Sequence, residues 1–200
     1  HCYLCDLCFM TKCPYVPPYE WALDFPHLML RAKALKYKQG KTKARDKILS
    51  DTDRVGSLAR IPVISGMVNA SNKSGVGRKM LASILGIHPD ARVPEYHSNT
   101  LRKQLADKRN RQADGEPAGA TTGKVALFTT CYNNVNEPDI GMDLAAVFEH
   151  NGIPITIPNK EKCCGMPKLE LGNLEAVQAA KEANLPVLEK LVDDGWDIVA

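Results

Sequence analysis

Val125-Ala126-Leu127-Phe128-Thr129 is a short apolar, β-prone run, and Cys131 follows just after it. Asp139 to His150 has helical periodicity in Ile140, Leu144, Val147 and Phe148, and Gly152 stops it. Ile153, Ile155 and Ile157 read as a second strand, broken by Pro154 and Pro158, and Cys163-Cys164-Gly165 lies just beyond it. Leu174 to Leu191 is helical again, with Asn173 as its cap and a kink expected at Pro186. Asp197 to Ala200 begins a third strand. Strand, helix, strand, helix, strand in this order implies right-handed crossovers and a parallel sheet. Open parallel sheets build their sites outside the carboxyl ends of the strands, which is where Cys131 and Cys163 fall. A further ligand is expected just past the third strand, after Ala200.

The thiols have a metal-binding pattern. Thirty-one residues separate Cys131 from Cys163. Adjacent cysteines such as Cys163 and Cys164 cannot easily bond each other, but they can reach neighbouring metal atoms of one cluster. Gly165 lets the backbone turn close to such a cofactor. Taken alone, Cys131 has a buried thiol at a strand end as its alternative, and the ligand reading is preferred.

A second group of thiols opens the chain. Cys2-Tyr-Leu-Cys5-Asp-Leu-Cys8-Phe-Met-Thr-Lys-Cys13-Pro14 is nearly the bacterial ferredoxin run. Three thiolates at three-residue steps on a tight loop can each reach a different iron of one cubane, while the fourth points away to a second cluster. Soft thiolates suit iron–sulfur clusters, and amide N–H groups of the loop can bond the sulfides. Four residues separate Cys8 from Cys13 where three are usual, which loosens the aim of Cys13. The expected fourth ligand of Cys2, Cys5 and Cys8, and the three companions of Cys13, would belong to an upstream partner motif. A zinc ribbon would instead pair two C-x-x-C knuckles at a distance.

Composition narrows the class further. Apolar residues make up 44% of the 200 residues, and no run of eighteen of them exists. No charged-then-apolar export signal is read, so the expectation is a reducing, cytoplasmic setting, in which clustered thiols serve metals. Seven cysteines, an odd count, fit a disulfide framework poorly. The net charge of +3 hides a split: residues 1–115 carry 20 Lys/Arg against 10 Asp/Glu, and residues 116–200 carry 6 against 13. Arg31 to Lys47 holds eight basic residues and one acid, Asp46, with Tyr37 its lone aromatic, and no nucleic-acid reading motif follows. Nucleic acid is therefore not an expected partner. An acidic subunit or anionic lipid head groups fit the charge better.

The Cys2–Cys13 run together with Cys131, Cys163, Cys164 and Gly165 resembles the cysteine-rich (CCG) iron–sulfur oxidoreductase family. That family includes subunits of glycerol-3-phosphate, glycolate and lactate oxidation and of heterodisulfide reductase. Ser50 through Met67, Val68 and Asn69, and Val93-Pro94-Glu95-Tyr96, resemble the connector of its glycerol-3-phosphate branch. The resemblance implies a chain incomplete at both ends. It implies electrons passing from a flavin-containing dehydrogenase subunit through [4Fe–4S] clusters towards a membrane quinone, on a cytoplasmic protein peripheral to the inner face of the membrane. In the heterodisulfide branch, the implied task is disulfide cleavage at an additional iron–sulfur centre. A structural zinc protein is the non-redox alternative.

The expected fold class is α+β, in three parts. Residues 1–37 form half of a two-cluster ferredoxin-type module. Residues 38–118 are a basic helical connector with no chemistry of its own, ending in a linker at Ala113 to Gly123. Residues 119–200 are a βαβαβ half-domain. Cys2, Cys5, Cys8 and Cys13 are the candidate [4Fe–4S] ligands, and Cys131, Cys163 and Cys164, beside Gly165, the ligands of a further centre. Connector helices, among them one around Met80, Leu81, Ile84 and Leu85, are expected to pack on a neighbour, the alternative being an amphipathic surface that docks on a membrane subunit. Lys160, Glu161 and Lys162, beside Cys163, either tune the charge at a cluster or form a plain polar loop, and the loop is the favoured reading.

Overall fold

The structure, a computed structural model, describes residues 2–106, 116–117 and 119–200. The linker expected at Ala113 to Gly123 lies outside the described residues at 113–115 and 118. Ten helices and three strands follow a single π-helical turn, Cys8–Lys12, among the described residues. The first helices are α1 (Phe25–Lys38), α2 (Ala44–Ser50), α3 (Thr52–Ala59), α4 (Pro62–Lys73), α5 (Gly75–Leu85) and α6 (Leu101–Gln104). Then come β1 (Val125–Leu127), α7 (Cys131–Val135), α8 (Pro138–His150), β2 (Ile155–Thr156), α9 (Met166–Leu171), α10 (Leu174–Asp193) and β3 (Asp197–Val199). The chain divides into two compact units, one of His1–Asp51 with Gly165–Ala180, the other of Thr52–Cys164 with Lys181–Ala200.

In the first unit, α1 starts on a capped first turn. The Asp24 carboxylate accepts the His27 N–H at 3.0 Å, and Pro26 sits in the first turn, where its missing N–H costs nothing. That bond holds the Asp24 carboxyl below the usual range, with the His27 side chain adding to it. Helix α9 packs against α1 and α2. Ion pairs Lys33–Glu170 at 3.8 Å and Lys168–Asp51 at 3.3 Å line that packing.

The second unit is built on the expected parallel sheet. Its order is β2-β1-β3, with Val125 opposite both Ile155 and Asp197. β1 is central and buried at all three residues, which is why it reads as an unbroken apolar run instead of alternating. The core joins Val125, Leu127, Ile155 and Ile157 to Ala145 of α8 and to Leu101 and Leu105, at and just beyond α6. These last two residues precede position 119 and are 0% and 2% exposed, so the sheet is sealed by a segment from the connector. Helix α10 runs continuously through Pro186.

The connector also supplies helices α3 to α5. Ser74 caps α5 by accepting the Gly77 N–H at 2.9 Å. The expected packing is only partly seen: Val63, Met67, Val76, Met80 and Ile84 are exposed. The Val93–His97 segment is tied down by polar contacts. The Asn69 side chain donates to the Tyr96 carbonyl at 2.8 Å and accepts the Tyr96 N–H at 2.9 Å, and the His97 N–H reaches the Val135 carbonyl at 2.8 Å. No helix among the described residues is long and apolar enough to cross a membrane.

Gly141 of α8 is a site of close approach. A β-carbon there would overlap the side chain of Leu101, which is fully buried and has no room to swing away. Gly141→Val is expected to lower stability by about 1–3 kcal/mol through overpacking, more than the few tenths regained in helix propensity. Urea unfolding measures this. Combined with Leu101→Ala, the loss should be smaller than the sum of the two single losses.

Candidate metal centre

Two strands deliver two of the three cysteine sulfurs of the second unit. The chain leaves β1 through Phe128 and Thr129, both buried, and turns at Thr130, whose hydroxyl accepts the Asn133 N–H at 3.3 Å and so starts α7 at Cys131. Beyond β2 the chain passes Pro158 and Glu161 to reach Cys163, which is 5% exposed. The two sulfurs lie 3.7 Å apart, within hydrogen-bond reach of one another. Hydrogen bonding to Cys163 holds the proton on Cys131 and raises its thiol far above its ordinary range, and burial adds to the effect. The Thr52 hydroxyl works the other way, and the neighbouring charges of Cys163 and Cys164 push it up again. Two thiolates this close repel strongly in a partly buried site. A bound cation would remove that obstacle by replacing the protons.

These sulfurs open onto a cavity of about 150 Å³ lined also by Arg60, Arg102, Asn134, Glu161 and Lys162. Cys164 is exposed, and Gly165 adopts φ +89° as the chain turns into α9. A β-carbon at Gly165 would meet only ordinary contacts with Val177 and Ala180, so glycine is required here for its left-handed backbone and not for space. None of the seven cysteines is in a disulfide. Among the described residues, no three His, Cys, Asp or Glu side chains are gathered as a ready metal site. The donor set fits a thiolate-bound metal centre in part: it supplies two converging soft ligands.

Residues 125–199 match the family described as "Cysteine-rich domain". Among curated proteins, the chain is 28% identical over 165 residues to a subunit of the anaerobic glycerol-3-phosphate dehydrogenase of Escherichia coli (strain K12), covering 82% of the chain and 39% of that relative. It is 31% identical over 104 residues to a subunit of the fumarate reductase (CoM/CoB) of Methanothermobacter marburgensis, covering 48% and 20%. Over 70 residues it is 37% identical to lactate utilization protein A of Bacillus cereus (strain B4264), covering 35% and 28%. The chain thus spans about two fifths of the length of the first of these relatives. No solved structure matches it.

The first cysteine run lies in the other unit. Cys2 and Cys13 are half-buried, while Cys5 and Cys8 are exposed. Leu4 and Asp6 adopt φ of 55° and 57°, curling the loop so that the Leu4 N–H donates to the Cys2 sulfur at 3.4 Å. The extra residue between Cys8 and Cys13 is absorbed by the π-helical turn, closed by the Cys13 N–H on the Cys8 carbonyl at 3.1 Å.

Four further groups shape the cysteine-rich domain's site, and sequence spacing pointed to none of them. The Thr52 hydroxyl donates to the Cys163 sulfur at 3.1 Å, and the Asp53 carboxylate accepts the Cys163 N–H at 3.0 Å. Buried Asn184 of α10 accepts the Lys162 N–H at 2.7 Å and donates back to the Lys162 carbonyl at 3.2 Å. Arg102 donates to the Pro158 carbonyl at 2.8 Å and pairs with Glu161. A polar residue in a helix that otherwise reads as amphipathic was the one available hint for Asn184.

The plain polar-loop reading of residues 160–162 does not hold for Glu161, whose side chain is 3% exposed. Its Oε1 receives the Thr129 hydroxyl and Arg102, while Oε2 has no hydrogen-bond partner among the described residues. Burial raises the Glu161 carboxyl above the usual range, opposed by the Thr129 and Arg102 contacts. Arg102→Met should therefore destabilise the domain by about 3–5 kcal/mol, because it leaves a buried carboxylate without its cation. Adding Glu161→Leu should recover most of that loss in urea denaturation.

Proposed function

We propose that this chain is an iron–sulfur electron-transfer part of an oxidoreductase. The observation that carries this reading is the pair of sulfurs of Cys131 and Cys163, 3.7 Å apart at the carboxyl edge of a parallel sheet within a cysteine-rich domain. Thiolates so placed favour a soft metal centre. Cys131, Cys163 and Cys164 are the proposed ligands of one iron–sulfur centre, completed by residues beyond Ala200. Cys2, Cys5 and Cys8 are proposed for a [4Fe–4S] cluster and Cys13 for a second, within a ferredoxin-type half-module at residues 1–37. Residues 38–118 serve as connector and 119–200 as the cysteine-rich half-domain. An iron–sulfur centre bound there supplies a one-electron carrier. The protein's contribution is ligand placement, burial and hydrogen bonds to sulfur.

The relatives support the wider setting. One is a subunit of an anaerobic glycerol-3-phosphate dehydrogenase, and another is named for lactate utilization. On this reading electrons come from a flavin-containing dehydrogenase subunit and leave towards a membrane quinone, with the chain cytoplasmic or peripheral to the membrane's inner face. The similarity to a fumarate reductase (CoM/CoB) subunit favours a second reading, a thiol–disulfide reductase subunit.

The test is metal analysis after anaerobic reconstitution, on this chain and on one extended at both ends. Iron and acid-labile sulfide are expected, with more in the extended chain. Cys131→Ser with Cys163→Ser should remove the share belonging to the cysteine-rich domain and leave the rest. Zinc alone, in a colourless protein, would sink the reading in favour of a structural metal site.

A further inference from the structure

We propose that Thr52 and Asp53, at the start of α3, are the positioning residues of Cys163: Asp53 fixes its backbone and Thr52 donates to its sulfur. The proposal deepens the iron–sulfur reading where it concerns potential, and rests on geometry alone where it concerns the loop.

The two contacts act on different atoms of one residue. Asp53 Oδ1 accepts the Cys163 N–H at 3.0 Å, and Thr52 Oγ1 lies 3.1 Å from the Cys163 Sγ. Thr52 and Asp53 stand 111 and 110 residues away in sequence, so neither contact is a by-product of the local turn. Cys163 belongs to a loop between β2 and α9 with no regular ladder to hold it. Its neighbour Lys162 is pinned from the other side by Asn184. The loop is thus held by residues of both α10 and α3. Helix α3 in turn packs against α7, the helix that begins with Cys131, so one helix of the connector registers both thiol-bearing segments.

A hydroxyl aimed at a ligand sulfur has a definite electrical consequence. Hydrogen bonds to sulfur stabilise the more negative, reduced state of a thiolate-bound centre and raise its reduction potential. Thr52 therefore sets the potential of the centre that Cys163 helps hold, and Asp53 keeps the sulfur within reach of that hydroxyl.

Two measurements on the full chain decide the matter. Before metal loading, iodoacetamide labelling mapped by mass should modify exposed Cys164 readily and buried Cys163 slowly. Thr52→Val with Asp53→Ala should speed Cys163 labelling roughly tenfold, as expected for the loss of two anchoring bonds, while Thr52→Ser with Asp53→Asn should leave it near wild type. Equal Cys163 rates in all three chains, with unchanged far-UV circular dichroism, would overturn the clamp. After loading, Thr52→Val should shift the reduction equilibrium of the cysteine-rich domain's centre roughly tenfold towards the oxidised form, or ~59 mV for a one-electron couple. Thr52→Ser should restore the potential. An unchanged potential at equal iron content would overturn the tuning role. If the wild-type chain takes up no iron and sulfide, the iron–sulfur reading and the tuning role fall together, and the labelling result alone decides the clamp.

Discussion

Two sulfur atoms 3.7 Å apart, carried by residues 32 positions apart in the chain, demand that two strand ends arrive side by side and point the same way. Parallel pairing of β1 with β2 meets that demand, since it brings both carboxyl ends to one edge of the sheet. An antiparallel pair would send Cys131 and Cys163 to opposite edges. The central place of β1 follows from burial: only a strand apolar on both faces can be flanked by strands on each side and still avoid water. The sheet is small, and a short segment around Leu101 and Leu105 seals its core. Gly141 gives Leu101 the space to lie against α8.

Bringing thiols together is only half of the electrostatic problem. The hydrogen bond between the two sulfurs pushes Cys131 away from ionisation. Around it the protein has placed groups of both signs: Arg60, Arg102 and Lys162 against Asp53 and Glu161. Glu161 is the exceptional member, a carboxyl taken almost wholly out of water and partnered by Arg102 and Thr129. Because Arg102 also holds the Pro158 carbonyl, the same guanidinium that balances the charge fixes the path of the chain as it leaves β2.

The region between the two cysteine groups is more than a tether. Leu101 and Leu105 fill the core of the cysteine-rich domain's unit, Asn69 holds Tyr96, and Thr52 and Asp53 reach Cys163. Its exposed apolar side chains on α4 and α5 stand apart from this work, since none of them lines the thiol cavity. At the other cysteine group, the unusual spacing before Cys13 proves to have a local solution. One additional residue widens a helical turn into a π turn and leaves the backbone hydrogen bond intact.

The sequence alone established what depends on local chemistry. Apolar runs and prolines marked β1 and β2, Asn173 marked a helix start, and the order of elements implied a parallel sheet with Cys131 and Cys163 beyond its strand ends. Each of those signals lies within a few residues of what it governs. Tertiary structure alone decided which distant groups meet the thiols. Thr52, Asp53, Arg102 and Asn184 look like an ordinary helix start, a surface arginine and a mid-helix amide, and Glu161 looks like a loop acid. Their roles come from contacts across 22 to 111 residues, made when α3, α6 and α10 close around the loop after β2. No periodicity or motif encodes a contact of that kind, because a hydrogen bond or a buried charge pair requires only that two atoms meet in space.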